Sequence, residues 1–478
     1  MPSLNILEEL QDRSREDWLV CGLEMPPASQ QLWQLTARLS GALMQLPQKP
    51  KILLIESHPL RFLSGFLACV AANCPVFICN PAWQQGEWQQ VFEGVKPHLI
   101  LGKCPPELSQ DYPILEQEIG SDWINLTQGD RPFIDYPPLP DFAIMIPTGG
   151  SSGQIRFVVH TWETLSQSVQ GLSDYFGQLT IHSYCVLPLY HVSGLMQFMR
   201  SFLTRGNLII ESFKQLNPNF NPQDFFISLV PTQLQRLLTH QSEWLAQFRV
   251  VFLGGAPAWE ALLMAAREAK IPLALTYGMT ETASQIASLK PHDFLLGNGS
   301  CGQVLPHAKI MIVSEVGEVL TANKMGIVCL ESRSLMRGYY QDNFPLNSPL
   351  VTFQSDDLGY LDERGYLYII GRNSQKIITG GENVFPAEVE AAILATQQVQ
   401  DVCILGVPDS DWGQVVTAVY VPGSVEVEPA TLKSAIASQL AAYKHPKLWV
   451  AVNSLPRNAQ GKINREQLLA IALSHQRR

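Results

Sequence analysis

From about residue 50, short runs of aliphatic and β-branched residues recur along the chain, separated by longer stretches with apolar positions at helical spacing. KILLIES (51–57), CPVFICN (74–80), HLILG (98–102), FAIMIPT (142–148), YCVLPLY (184–190), NLIIES (207–212), FFISLVP (225–231), RVVFLGG (249–255) and LALTYG (273–278) are nearly continuous apolar runs rather than alternations. Strands buried on both faces read this way, and the long gaps leave room for crossover helices, so a multi-layer, mainly parallel α/β body is predicted. The segment YPPLP (136–140) reads as a stiff connector into the strand that begins at Phe142.

After about residue 300 the rhythm changes. AKIMIV (308–313), MGIVCLES (325–332) and GYLYIIG (365–371) are shorter and bounded by turn residues, which predicts a β-rich subdomain. Beyond the pair Gly380–Gly381 follow a helix, PAEVEAAILATQQ (386–398), the strands DVCILGV (401–407) and VVTAVYV (415–421), and the helices ATLKSAIASQLAAYK (430–444) and REQLLAIAL (465–473). That is a compact α+β module, so the expected division is a large N-terminal body over 1–371 and a small C-terminal domain over 372–478.

Composition narrows the class. A chain of 478 residues that is 46% hydrophobic and 16% charged has enough apolar content for more than one packed core and argues against long disordered tracts. A net charge of −10 without a long basic run argues against nucleic acid or an anionic membrane as the main partner. No apolar stretch is long enough to span a bilayer, and the opening MPSLNILEELQDRSREDW lacks the apolar core of a secretory signal, so a cytoplasmic enzyme is expected. The nine cysteines are scattered, without C-x-x-C spacing, and read as free thiols in a reducing compartment.

Candidate chemistry is concentrated in a few segments. PTGGSSGQIR (147–156) follows an apolar run. Gly149, Gly150 and Gly153 let backbone approach an anion, Thr148, Ser151 and Ser152 add hydroxyls, and Arg156 adds positive charge. The spacing is not that of a P-loop, and by itself the segment also reads as a flexible turn. It contains G-x-S-x-G, but RFVVHT (156–161) behind it reads as a strand where a nucleophile elbow needs a helix. YGMTET (277–282) places Tyr277, Gly278, Met279, Thr280 and Glu281 in a loop at the carboxyl edge of a sheet, where Glu281 suits a magnesium ion and Tyr277 a purine; an ordinary strand-end turn is the plain alternative. In SDDLGYLDERGYLYIIGR (355–372), Asp357 stands just before a hairpin and Arg372 just after it, a carboxylate and a cation suited to a ribose. Lys462 follows Gly461 in LPRNAQGKINR (455–465) and alone reads as a surface charge.

Taken in order, these segments resemble the signature motifs of the adenylate-forming superfamily of acyl-CoA synthetases, peptide-synthetase adenylation domains and luciferases. The match runs from about Phe142 to Arg465. The resemblance implies a phosphate loop over 148–156, an adenine and magnesium motif from Tyr277 to Glu281, a ribose site at Asp357, and a hinge at Arg372 and Ser374. It also implies that Lys462 is the catalytic lysine of a mobile C-terminal domain. Arg156 stands where a lysine is common, with Ile155 and Phe157 for the usual proline and glycine, and Ser374 stands at a commonly acidic position. Within the superfamily the chain is most similar to the 2-succinylbenzoate–CoA ligases of menaquinone and phylloquinone synthesis, through LPLYHVSGL (187–195) and GMTETASQI (278–286). That similarity implies His191 in the acyl pocket, and Arg200 on the distal carboxylate of an aromatic dicarboxylate, with Ser284 and Gln285 nearby. The activity so implied joins an acid to coenzyme A through an acyl adenylate, with ATP and Mg2+. Another acid–CoA ligase, a carrier-protein-loading enzyme and a silent nucleotide-binding regulator share these nucleotide motifs.

Overall fold

The computed structural model describes residues 6–15, 28–103, 114–116, 125–128, 143–149, 154–340, 351–423, 427–437, 439–457 and 463–476. Most of the apolar runs fold as parallel strands in two sheets. In the first, Ile144–Gly149, Val76–Ile78, Ile52–Ile55 and Leu99–Gly102 are parallel neighbours. Antiparallel strands close both sides: Ile155–His160 and then Gly338–Tyr339 on one, Asn125–Gln128 and then Ile114–Glu116 on the other. In the second, Leu208–Ile210, His182–Cys185, Phe225–Leu229, Val250–Leu253 and Leu273–Met279 are parallel, and Ser284–Ser288 and Gln303–Val304 add an antiparallel edge. Every residue of Ile52–Ile55 and Val250–Leu253 is buried, which is why these strands read as unbroken apolar runs.

One apolar cluster binds the two sheets through the helices Trp162–Phe176 and Val192–Leu203, uniting Leu54 and Ile144 with Leu165, Val169, Leu195 and Phe198 and with Cys185 of the second sheet. Burial of each large side chain there contributes roughly 1.5–3 kcal/mol. A third, antiparallel sheet, Ala308–Val313, Gly326–Ser332, Phe353–Leu361 and Leu367–Arg372, is the β-rich part expected after residue 300. In the C-terminal part a five-stranded sheet forms around the long pair Val399–Asp409 and Gly413–Pro422. Its small hairpin turns at Gly380 and Gly381, both at positive φ (57° and 85°), as a two-residue hairpin turn of the primed kind requires.

Several elements differ from the expectation. The strand expected at 184–190 ends at Cys185, and Pro188, which lacks the N–H that a ladder needs, lies in the turn that leads to helix Val192–Leu203. The C-terminal helix expected over 430–444 is Pro429–Ile436 followed by a separate turn at Ala442–Lys444. Asp357 lies inside a strand rather than before the hairpin, directly opposite Arg372. Tyr277 and Met279 also lie within a strand, and the turn begins only at Thr280. The connector 136–140 lies outside the described residues.

Candidate active site

The strand Leu273–Met279 turns back into Ser284–Ser288 through a bend that only a narrow set of residues permits. Gly278 lies against the returning chain so closely that a Cβ would sit 2.1 Å from the Ser284 carbonyl oxygen. After the single 3-10 turn Thr280–Thr282, Ala283 and Ser284 both take positive φ, 53° and 87°. For residues with a Cβ this costs on the order of 1–3 kcal/mol each and persists only where surrounding contacts enforce it. Those contacts come from separate elements. His160 Nε2 meets the Thr280 carbonyl at 2.7 Å, the Met336 N–H donates to Glu281 O at 2.9 Å, Ser334 Oγ donates to Thr282 O at 3.0 Å, and Ser168 Oγ donates to Ala283 O at 2.7 Å. Four successive carbonyls are thus tied to the first sheet, a helix and the segment Ser334–Met336.

Glu281 projects from this turn, and its residue is 8% exposed. Tyr339 donates its hydroxyl to Glu281 Oε1 at 2.7 Å, and the Arg156 guanidinium lies over the Tyr339 ring, 4.4 Å from its centroid. Arg156 itself is exposed and pairs across the ladder with Thr148. Gly149 ends that strand, whereas Gly150, Ser151, Ser152 and Gly153 lie outside the described residues. Among the described residues no group of three or more His, Cys, Asp or Glu is placed to hold a metal ion. A lone carboxylate still fits magnesium, which keeps several waters and takes phosphate oxygens beside one or two protein carboxylates.

The third sheet meets the same hairpin at Asp357, the residue expected from the sequence to serve a ribose. Tyr277 donates to Asp357 Oδ2 at 2.8 Å, and Arg372 Nε lies 3.6 Å from Oδ1. Burial raises the Asp357 carboxyl above the usual range even though the Tyr277 hydroxyl and Arg372 pull it down. The Tyr277 ring is 8% exposed in an apolar cluster with Ile286, Ile310 and Leu330, so what it offers a ligand is one narrow surface. Asp356, which sequence reasoning passed over, accepts from the Ser374 N–H at 3.0 Å and from the Ser374 hydroxyl.

On the opposite flank, helix Val192–Leu203 begins after His191, whose ring packs edge-on against Tyr190, 4.8 Å between centroids. One face of the helix carries Arg200, 3% exposed, toward the returning strand, where its Nη2 donates to Gln285 Oε1 at 2.7 Å and to Ser284 Oγ at 3.1 Å. The Phe252 ring lies beneath the guanidinium at 5.6 Å, and among the described residues the Arg200 Nε has no hydrogen-bond partner and no carboxylate pairs with the side chain. Desolvation lowers its pKa to about 10.

Glu281, Tyr277, Thr280, Ser284 and Gln285 are therefore brought together by one hairpin, with Asp357, Arg156 and Arg200 joined to it by direct contacts or a shared tyrosine. Lys462 lies outside the described residues; its flanks meet in a bridge between Arg457 and Ile463. Tyr339, His160 and Asp356 carry no sequence signal of their own, because each acts through a partner far away in the chain.

The family model described as AMP-binding enzyme matches residues 29–340, and that of the AMP-binding enzyme C-terminal domain matches residues 388–462. The chain is 33% identical over 339 residues to 2-succinylbenzoate–CoA ligase of Enterococcus faecalis, covering 69% of this chain and 70% of that one. The corresponding ligase of Listeria monocytogenes is 35% identical over 329 residues, covering 67% and 68%. Among solved structures, o-succinylbenzoate CoA synthetase from Bacillus subtilis in complex with its acyl-adenylate intermediate superposes with a TM-score of 0.82 at 24% identity, over 97% of both chains. ATP-bound MatB from Rhodopseudomonas palustris gives 0.78 at 23% identity, over 98% of both. At these identities the two structures speak for the fold.

Proposed function

The chain belongs to the AMP-binding enzyme family, and from that premise we propose that it is an ATP-dependent acid–CoA ligase whose acid is 2-succinylbenzoate. The observation that carries the specificity is Arg200: a cation 3% exposed, seated on Phe252, bonded only to neutral groups, with no carboxylate partner among the described residues. A buried charge in that state is costly, and a substrate anion entering the pocket offsets the cost. An aromatic dicarboxylate supplies such an anion at its far end while its other carboxylate reacts.

In the first step a carboxylate oxygen of the acid attacks the α-phosphorus of ATP. An acyl–phosphate bond forms, the bond to the β-phosphate oxygen breaks, and pyrophosphate leaves. In the second step the thiol sulfur of coenzyme A attacks the acyl carbonyl, its proton is lost and AMP departs. No protein nucleophile is required, so the chain's contribution is positioning and charge. Asp357 holds the ribose hydroxyls, Thr148 and Arg156 face the phosphates, and His191 borders the acyl side at the start of the Arg200 helix. Glu281 would hold magnesium, which when bound neutralises charge on the phosphates. Lys462 is assigned to the reacting oxygens in the first step, and the domain that begins at about Arg372 turns about residues 372–376 between the steps. Asp356 and Ser374 give that pivot a defined contact.

Pyrophosphate release with 2-succinylbenzoate, benzoate, acetate and a fatty acid, with and without coenzyme A, tests the reading. Selective turnover of 2-succinylbenzoate, with Arg200→Ala raising its KM by ~10-fold or more and removing discrimination against benzoate, is expected. Equal use of the monocarboxylates by the unaltered protein would overturn the substrate assignment, and acyl transfer to a carrier protein but not to coenzyme A would overturn the acceptor.

A further inference from the structure

Two adjacent tyrosines close the edge of the first sheet and point to opposite sides of it. The strand Gly338–Tyr339 pairs antiparallel with Ile155–His160, Tyr339 standing opposite Val158. Because side chains alternate along a strand, Tyr340 goes to the core side, where its ring meets Phe77 edge-on at 4.8 Å and Lys51 Nζ approaches its hydroxyl at 3.3 Å. Tyr339 goes to the other side, shared with Arg156 two residues from Val158. The 4.4 Å approach of the guanidinium to the ring is therefore the diagonal pair that this register dictates. Its hydroxyl then reaches past the sheet edge to Glu281 Oε1 at 2.7 Å.

We infer that Tyr339 is a positioning residue for the nucleotide half of the site: its hydroxyl fixes the Glu281 carboxylate and its ring seats Arg156, coupling the metal carboxylate to the phosphate-side cation. The inference rests on the reading of Glu281 as the magnesium carboxylate. Three features support it. Glu281 O is already fixed by the Met336 N–H and the turn is tied at its other carbonyls, so the side-chain rotamer is the freedom that remains, and Tyr339 removes it. The hydroxyl engages Oε1 and leaves the carboxylate's second oxygen for a cation. Arginine stacks on aromatic rings better than lysine and carries a planar fork, which gives a reason for Arg156 at a position where a lysine is common in the superfamily.

The test measures ATP binding by calorimetry across a magnesium titration, without acid or coenzyme A, for the full-length protein and for Tyr339→Phe, Glu281→Gln, Tyr339→Leu, Arg156→Ala and the Tyr339→Leu/Arg156→Ala pair. Tyr339→Phe keeps the ring and loses only the hydroxyl. It is expected to raise the magnesium concentration for half-maximal ATP binding by ~10-fold, with metal-free ATP affinity unchanged and, in a companion steady-state assay with acid and coenzyme A, the KM for the acid unchanged. Tyr339→Leu and Arg156→Ala are expected to weaken ATP binding non-additively, since each removes the same contact. If Glu281→Gln shifts the magnesium midpoint and Tyr339→Phe does not, the positioning role is wrong while Glu281 stands. If neither shifts it, the assignment of Glu281 falls and the inference with it. A uniform loss of ATP and acid affinity in Tyr339→Phe, with a lowered melting temperature, would reduce the residue to a structural one.

Discussion

His160 shows how a single buried residue couples the site to the fold. It is completely buried, with Nδ1 3.0 Å from Thr164 Oγ1 and Nε2 on the Thr280 carbonyl, and desolvation lowers its pKa to about 4. The carbonyl needs a donor, so the neutral ring carries its proton on Nε2 and accepts from Thr164. Because the folded-state pKa lies below the ordinary 6.5, stability is fully present above 6.5 and is lost as pH falls toward 4. Between pH 7 and pH 5 the loss is roughly 2 kcal/mol for this group. Urea denaturation at the two pH values should show it, and His160→Gln, which keeps a donor for Thr280, should flatten the slope; an unchanged slope in that variant would place the titration elsewhere. Nothing in the sequence marks His160, since its partners lie four and 120 residues away. Glu281 and Asp357 stand out as candidates because the residue types around them suggest nucleotide chemistry locally, whereas Arg200 stands out only through the family resemblance, its partners Ser284 and Gln285 lying 84 and 85 residues away.

At the scale of elements, the hairpin from Leu273–Met279 into Ser284–Ser288 is the part of the site most sensitive to backbone change. Gly278→Ala would drive a methyl to 2.1 Å from a backbone oxygen that cannot withdraw, because Thr282 Oγ1 donates to that same Ser284 carbonyl at 2.6 Å. The strands must separate or slip, which carries Ser284 and Gln285 away from Arg200. A stability loss of roughly 1–3 kcal/mol and a larger rise in the KM for the acid than for ATP are expected from denaturation and steady-state kinetics. The same comparison explains what could be read in advance. The central strands are buried on both faces and announce themselves as apolar runs, whereas in Phe353–Leu361, FQSDDLGYL, the acids Asp356 and Asp357 interrupt the apolar positions, so the sequence announces a hairpin only after Asp357 while the strand extends back to Phe353.

For the molecule as a whole, the pivot we propose has to favour neither step too strongly, and its described contacts are modest. Ser374 joins Asp356 through its N–H and its hydroxyl, a Cβ on Gly371 would lie 3.4 Å from the Phe385 ring, and Ala391 and Leu394 of helix Pro386–Ala395 pack against the same apolar cluster as Tyr368. Of these, the Asp356–Ser374 pair sits at the turning point, where the superfamily commonly has an acid; here the acid comes from the body and the hinge supplies the hydroxyl. A hydrogen bond to a charged group contributes about 1.5–3 kcal/mol where water is excluded and less where, as here, both partners are exposed, which leaves enough to shift a balance between two domain arrangements a few-fold. A change that acts only on this balance cannot slow both half-reactions, because weakening one arrangement favours the other. Ser374→Ala keeps the backbone donor and removes the hydroxyl, so pyrophosphate exchange and thioester formation from supplied acyl adenylate should change in opposite directions, each by a few-fold. A parallel decline in both would mean that the pair supports the fold locally and leaves the domain balance untouched.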